Sequence, residues 1–344
     1  MKLTLILSLL FGKIAFSQAK KPYSVRCVAF YNVENLFDIY NDSLVFDDER
    51  TPNGAYEWTS NRYHRKIANI SKVLSAIGSG ITKTSPDIIG LCEIENRSVL
   101  NDLVNHPNLR DQAYGIIHMD SPDERGIDVA LLYKKAVFLP VAFQSRRLLL
   151  FDEEGYRDYT RDQLVVSGVF EDEPWYFIVN HWPSRSGGAL RSRPNRIAAA
   201  RLNKRIIDSL LHIRPDARII SMGDFNDDPR DISIKKVLRT QGSSMQLDSV
   251  YLVNAMESLY RKGQGTLAYR DKWNLFDQFL ITPHVISNRE HYFFWKAGIF
   301  APDYLKTATG PYRGYPFRTF VGTTYQGGYA DHFPVYLLLL KPTD

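Results

Sequence analysis

The sequence predicts a mixed α/β protein built on two sheets, and three observations carry that prediction. Short apolar runs bounded by turn residues recur along the chain, some placed as hairpins and others separated by stretches of helical spacing. Several runs stay apolar until an abrupt polar end, the sharpest being Ile219-Ile220-Ser221-Met222-Gly223-Asp224-Phe225-Asn226. No linker-like stretch divides the chain, so residues 18–344 read as one domain.

From the start, Lys2 precedes an apolar run at 3–11, and Ala15-Phe16-Ser17 places small residues before a cut ahead of Gln18. That layout is a secretory signal peptide over residues 1–17, which predicts a secreted or periplasmic mature chain. The run is too short to span a bilayer, and no later stretch is long and apolar enough, so no transmembrane segment is expected. Residues 24–32 read as the first strand, followed by a polar, acidic excursion over 38–61. Residues 62–77 carry Ile67, Ile70, Leu74 and Ile77 at helical spacing, with Thr59 or Ser60 as cap and Gly78 as stop. Residues 86–93 are almost wholly apolar, as a strand covered on both faces should be. A short helix over 99–109 is interrupted by Pro107, and strands at 113–119 and 127–133 are joined by a loop holding Arg125. A hairpin pairs 161–170 with 175–181. Pro194 opens a long helix to about His212, and Pro229 opens another after the Gly-Asp-Phe-Asn end. The last strands are 275–281 and 334–340, and the Gly-, Tyr- and Phe-rich segment 291–328 between them carries no assignable period.

Bulk properties are those of a soluble globular chain. The formal charge of +5 falls to +3 without the first seventeen residues, with 41 basic against 38 acidic side chains. This excess is compatible with a polyanionic partner without demanding one. Cys27 and Cys92 lie inside strand-like runs and read as buried free thiols.

The polar ends carry the chemistry. Strands close at Asn32, at Glu93, at Asn180-His181 and at Asp224-x-Asn226; another begins beside Asp277, and the last is preceded by Asp331-His332. Ends of neighbouring strands converge, so these side chains can meet in one cleft. Asp brings negative charge and Asn brings an acceptor and a donor without charge, which together suit a hydrated cation and a phosphate oxygen.

At these residues the chain resembles the endonuclease/exonuclease/phosphatase superfamily, which includes deoxyribonuclease I, abasic-site endonucleases, inositol polyphosphate 5-phosphatases and bacterial neutral sphingomyelinases. The matching stretches are Phe30-Tyr31-Asn32-Val33, Ile89-Gly90-Leu91-Cys92-Glu93, Asn180-His181-Trp182-Pro183-Ser184, Met222-Gly223-Asp224-Phe225-Asn226, Phe276-Asp277-Gln278 and Ala330-Asp331-His332-Phe333-Pro334-Val335, in the family's order. The resemblance implies a four-layered α/β sandwich, with two mixed, mostly antiparallel sheets packed face to face and helices outside. It implies Glu93 as principal ligand of a hard divalent cation, Mg²⁺ with Mn²⁺ or Ca²⁺ as substitutes, and Asn32 beside it. His332, oriented by Asp331 or Asp277, becomes the general-base or phosphate-polarising histidine. His181 donates to the phosphate or protonates the leaving group, while Asp224 and Asn226 place the attacking water and a non-bridging oxygen. Asp128, by position, is expected to support His181. Arg161 is expected at the phosphate, as is Arg185 in the arginine-rich loop 183–196; if that loop is only a solvated helix entry, Arg196 faces water.

The function implied is a secreted, metal-dependent phosphodiesterase on nucleic acid, most simply a deoxyribonuclease I-like endonuclease acting as a monomer without a protein partner. A phospholipid (sphingomyelinase-like) or inositol-phosphate phosphoesterase is the alternative, and the former asks for an exposed aromatic hairpin, for which Trp295 with Phe293 and Phe294 is the candidate. A catalytically inactive binding module on the same fold has no need of Glu93, Asp224, Asn226, Asp331 and His332 together. Glu95 stands where nucleases of the family commonly carry an arginine, which weakens nucleic acid specifically.

Overall fold

Along β1 (Tyr23–Leu36) successive side chains enter different cores, because strand residues alternate faces. Val28 and Phe30 join one apolar cluster with Met222, Phe177 and Leu337. Cys27, Ala29 and Tyr31 join a second with Ile67, Ile70 and Leu103. A third cluster packs Ile178, Ile219 and Leu280 against Ala199, Ile206 and Ile207. Three apolar interfaces between two sheets and their outer helices make four layers.

The computed structural model describes residues 22–243 and 251–343, so the signal-peptide reading of residues 1–17 lies outside the described residues. After β1 the large-sheet strands are β2 (Ile88–Ile94), β3 (Tyr114–His118), β4 (Asp128–Lys134), β5 (Phe138–Arg146), β6 (Gln163–Phe170) and β7 (Glu173–His181). They continue with β8 (Arg218–Asp224), β9 (Thr240–Gly242), β10 (Leu252–Asn254), β11 (Asp277–Ile281), β12 (Phe293–Ile299) and β13 (Val335–Pro342). One sheet has six strands in the order β12-β13-β1-β2-β4-β3, and the other seven in the order β9-β10-β11-β8-β7-β6-β5. Helices α1 (Ser60–Ala76) and α2 (Arg97–Asn105) cover the first sheet, and α3 (Arg193–Ile213) covers the second. Both cysteines are buried and free.

Each sheet is centred on a parallel pair, β1 with β2 and β7 with β8. Their outer neighbours β13, β4 and β11 run antiparallel. The carboxyl ends of the parallel strands and the entries of the antiparallel ones therefore share one rim.

Some expectations change. No α-helix follows Pro229; turns lead to a short π-helical run, Ser233–Val237, because Asp228 and Asp231 tie up the local backbone instead. Helix α2 starts at Arg97 because the Asn96 side chain accepts from the Ser98 and Val99 amides at 2.8 and 3.1 Å. The unassigned segment 291–328 supplies β12 and a small hairpin, Phe320–Val321 with Thr324–Tyr325. Its aromatics are largely packing: Phe320 is buried against Tyr56, Trp58 and Tyr325. Trp295 is exposed, but it lies within β12 with Phe293 buried, so these residues do not form a hairpin tip.

Candidate active site

Strand register assembles the site. Asp224, the last residue of β8, is paired with His181 of β7 on one side and Asp277 of β11 on the other. On the facing sheet Asn32 is paired with Cys92, and a register shift follows at Glu93. Glu93 has a left-handed backbone, φ +62°, at this bulge, a conformation uncommon for a residue with a side chain. Its carboxylate is held by the Asn35 amide at 2.8 Å and the Asn32 Nδ2 at 3.3 Å. The same Asn32 Nδ2 donates to Asp224 Oδ2 at 3.1 Å, joining the two sheets. Asn226, also left-handed, donates its amide to Asp224 Oδ1 at 2.9 Å and its Nδ2 to the Trp182 carbonyl at 2.9 Å.

The two histidines flank Asp224. His181 Nε2 is 3.8 Å and His332 Nε2 3.9 Å from Asp224 Oδ2, and His181 Nε2 is 3.8 Å from Glu93 Oε1. His332 Nδ1 is 2.7 Å from Asp277 Oδ2. Burial alone lowers the His332 imidazole, but Asp277, by charge and hydrogen bond, with Asp224 and Asp331 behind it, holds it well above its ordinary value. His181 has no such partner. Burial, then Arg161, Arg125 and His332, hold it well below its ordinary value, and its Nδ1 is buried without a hydrogen bond. Burial pushes the Asp224 carboxyl up to about 7, with His332 pulling against it and Asp277 adding to it. The pocket thus shifts the two imidazoles in opposite directions.

A buried amide network fixes this rim from below. Asn203 of α3 donates to Asn180 Oδ1 at 2.9 Å and to Gln163 at 3.0 Å; Asn180 donates to Ser221 at 3.0 Å. Trp182 donates its indole N–H to Asn180 and packs edge-on to Phe225, ring centres 4.7 Å apart.

The residues fit a hard divalent cation. The donors are carboxylate and amide oxygens, and Glu34, Glu93, Asp224, Asp277 and Asp331 outnumber the cations Lys66, Arg318 and His332 that touch them. Burial raises both Glu34 and Asp224, and a neighbouring carboxylate adds to each, Asp331 and Asp277 respectively. Asp277 Oδ1 is also buried without a partner. A divalent cation among these carboxylates would relieve that excess, and Asp224, Asp277 and His332 offer ligand atoms within 4.8 Å of one another.

Several expected roles change with the geometry. Asp128 does not reach His181: it bonds His118 Nε2 at 2.9 Å and the Ser121 amide at 2.7 Å, being turned to its own sheet. Arg161 is buried, with Nη1 on Asp123 at 2.9 Å and Nη2 on the Trp182 carbonyl at 2.8 Å, so it holds the turn after His181 and is not open to a phosphate. Arg185 is neutralised by Asp231 at 2.7 Å and Asp227 at 3.2 Å and lies over the Phe276 ring. Arg196 does not face water; it is 1% exposed and bonded to Asp227 at 2.6 Å. Asp331 pairs with Arg318 at 2.9 Å, leaving Asp277 as the partner of His332.

Two residues were missed by sequence reasoning. Glu34 accepts from Arg318 at 3.1 Å and from the Thr319 amide at 2.6 Å. Lys66, 1% exposed, donates to Thr319 Oγ1 at 2.6 Å and lies 3.9 Å from Glu34. Lys66 had a signal, since it falls on the apolar stripe Tyr63, Ile67, Ile70 and Leu74 of α1.

Facing sheets with carboxylates, amides and two unlike imidazoles at one rim define a phosphoester hydrolase of the cation-dependent kind. A profile of the Endonuclease/Exonuclease/phosphatase family matches residues 27–341, and the chain belongs to that family. Members are divalent-metal-dependent phosphoester hydrolases. A search of curated proteins finds no significant match. Among solved structures, an endonuclease/exonuclease/phosphatase family protein from Bacteroides thetaiotaomicron is 18% identical with a TM-score of 0.57, covering 94% of this chain and 97% of that one. A mannosyl-6-phosphatase from the same organism is 18% identical with a TM-score of 0.54, covering 91% and 99%. Humanized D. rerio TDP2 is 12% identical with a TM-score of 0.56, covering 92% and 99%. At these identities the likeness is one of fold.

Proposed function

We propose that this chain is an exported, divalent-cation-dependent phosphodiesterase acting on nucleic acid, a deoxyribonuclease I-like endonuclease. The observation that carries the reading is the pair of imidazoles on either side of Asp224, 3.8 and 3.9 Å from its Oδ2, with His332 hydrogen-bonded to Asp277. Hydrolysis of a phosphodiester expels a poor alkoxide leaving group as water attacks phosphorus, so it needs a proton acceptor for the water and a proton or charge donor at the leaving or phosphoryl oxygen. Neutral His181, with Asp224 and Asn226, accepts the water's proton and orients the attack. Charged His332, fixed by Asp277, donates through Nε2 to the phosphoryl or leaving oxygen. This inverts the emphasis expected for the two histidines, because the carboxylate partner belongs to His332 alone. Mg²⁺ at Glu93 and Asn32, or Mn²⁺ or Ca²⁺ in its place, supplies charge to offset the phosphoryl oxygens.

The assay is cleavage of plasmid DNA, RNA, sphingomyelin, inositol phosphates and mannose 6-phosphate, each with Mg²⁺ and with EDTA. Cleavage of DNA or RNA that EDTA abolishes is expected. Activity on none, or activity indifferent to EDTA, sinks the proposal. Export follows from the pattern at residues 1–17, and an exported chain beginning at Gln18 by mass is its check.

A further inference from the structure

Away from the catalytic rim, a groove of about 260 Å³ runs between α3 and the segment that follows β5. Arg147, Leu148, Leu149, Ala198, Arg201 and Arg205 line it, with no carboxylate among them. Ala198, Arg201 and Arg205 stand three and four residues apart on α3, so they share one face of the helix. Arg201 and Arg205 are exposed and pair with no acid among the described residues. Arg147 gives only its Nε to Asp162, at 3.0 Å, and its side chain is 55% exposed. Its two Nη groups have no hydrogen bond among the described residues.

The wall that carries Arg147 is firmly held. Leu148 is buried in the cluster with Ala199 and Ile206. Its amide donates to Asp162 Oδ1 at 3.2 Å, and its carbonyl accepts from Arg157 Nη2 at 2.9 Å. Three guanidinium groups thus face one groove against the single buried carboxylate of Asp162. Each offers parallel N–H donors in a planar fork, the geometry that meets the oxygens of a phosphate, and the surplus of positive charge matches a dianion.

The charge around the groove selects a small anion over a polymer. Helix α3 follows the end of β7 at the rim and runs to the opposite end of the sheet, where β8 begins. Arg201 lies about 12 Å along it from Arg193. The start of the helix lines a different cleft, which also holds Asp152, Glu153, Glu154 and Asp158. The arginines beside that cleft are engaged: Arg191 faces Glu153 at 3.7 Å, and Arg157 donates to the Leu148 and Leu150 carbonyls. A polyanion passing from the rim along α3 meets those four carboxylates before it reaches the groove, and is repelled.

We propose that Arg147, Arg201 and Arg205 form a phosphate-binding site on the flank of the molecule, separate from the catalytic rim. It takes a single phosphate group, either free or as the phosphomonoester headgroup of a lipid.

The test is calorimetric titration of the full chain with inorganic phosphate, in EDTA and at constant ionic strength. The wild type binds phosphate. Arg201→Gln and Arg205→Gln each weaken that binding about tenfold, as loss of one charge-assisted contact does. Both positions are exposed and unpaired, so neither change threatens the fold, and Glu93→Gln leaves phosphate binding intact. Cleavage of plasmid DNA with Mg²⁺ stays at the wild-type rate in both arginine variants. A second arm measures co-sedimentation with phosphatidylcholine vesicles, with and without phosphatidic acid. Capture only by the vesicles holding phosphatidic acid, lost in the arginine variants, identifies a lipid headgroup as the source. Phosphate binding without vesicle capture identifies a free phosphate. Binding of neither probe, or binding that survives both substitutions, overturns the proposal. So does a matching loss of DNA cleavage in the two variants, which makes the groove part of the substrate path.

Discussion

Asp277→Asn removes one charge from the shortest ionic contact in the site and leaves its shape. At 2.7 Å from His332 Nδ1, the carboxylate contributes about 6 kcal/mol of attraction at an effective dielectric of about 20. Much of that offsets the burial of both groups, and breaking a buried pair of this kind removes about 3–5 kcal/mol net. With the pair broken, burial is opposed only by Asp224 and Asp331, and the His332 value falls. If its charge serves the transition state, that energy corresponds to a fall in kcat of about 10²–10⁴-fold. The measurement is kcat on a chromogenic phosphodiester between pH 5 and 9, with urea unfolding in parallel. The sign is fixed by the raised value: the pair's stabilisation is complete below the unfolded histidine value, about 6.5, and is lost as pH rises through the folded one. The wild-type rate should fall along the same limb, and Asp277→Asn should move that limb to lower pH. A folded variant within threefold of wild type at pH 7, with His332→Ala inactive, would refute the assignment of His332 as a charged group.

Three further outcomes follow. Glu93→Gln should abolish the rise in melting temperature that added Mg²⁺ gives the wild type, since stabilisation by a ligand scales with its binding; an unchanged rise by differential scanning fluorimetry would place the cation elsewhere. Burial pushes Glu95 up to about 8, so stability is highest below its unfolded value near 4.5 and declines as pH rises through 8. Glu95→Gln should flatten that decline in urea titrations at pH 5, 7 and 9, by on the order of a few kcal/mol. Arg196→Ala should destabilise by about 3–5 kcal/mol through the unpaired Asp227, read as a lower urea midpoint with an unchanged slope.

Much of the site was legible because strand periodicity and register are local rules. Glu93, His181, Asp224 and Asp277 each sit at or beside a strand end that apolar runs reveal, Asn32 sits at the register break inside β1, and the sheets bring them together. Side-chain partners are not local. Asp128 lies near the rim, yet the His118 imidazole ten residues earlier captures it across the β3–β4 pair. The arginine-rich loop looks cationic in sequence, but Asp227 and Asp231, some forty residues on, neutralise Arg185. The 138–146 strand has no readable alternation because residues 138–143 are apolar on both faces of an edge strand and the register shifts between Pro140 and Ala142. Segment 291–328 has no period because much of it is irregular chain stapled by Lys66 and Glu34.

The adjacency of β1 and β13 has a consequence for how the molecule is made. Tyr23 is partnered with Pro342 and Phe30 with Val335, so β1 pairs along one edge with a strand made some three hundred residues later. Until residues 335–342 are available, β1 has an uncovered edge and His332, just before them, cannot dock on Asp277. A nascent chain is therefore held short of its native state until residues 331–342 have emerged, and the His332–Asp277 contact forms only then.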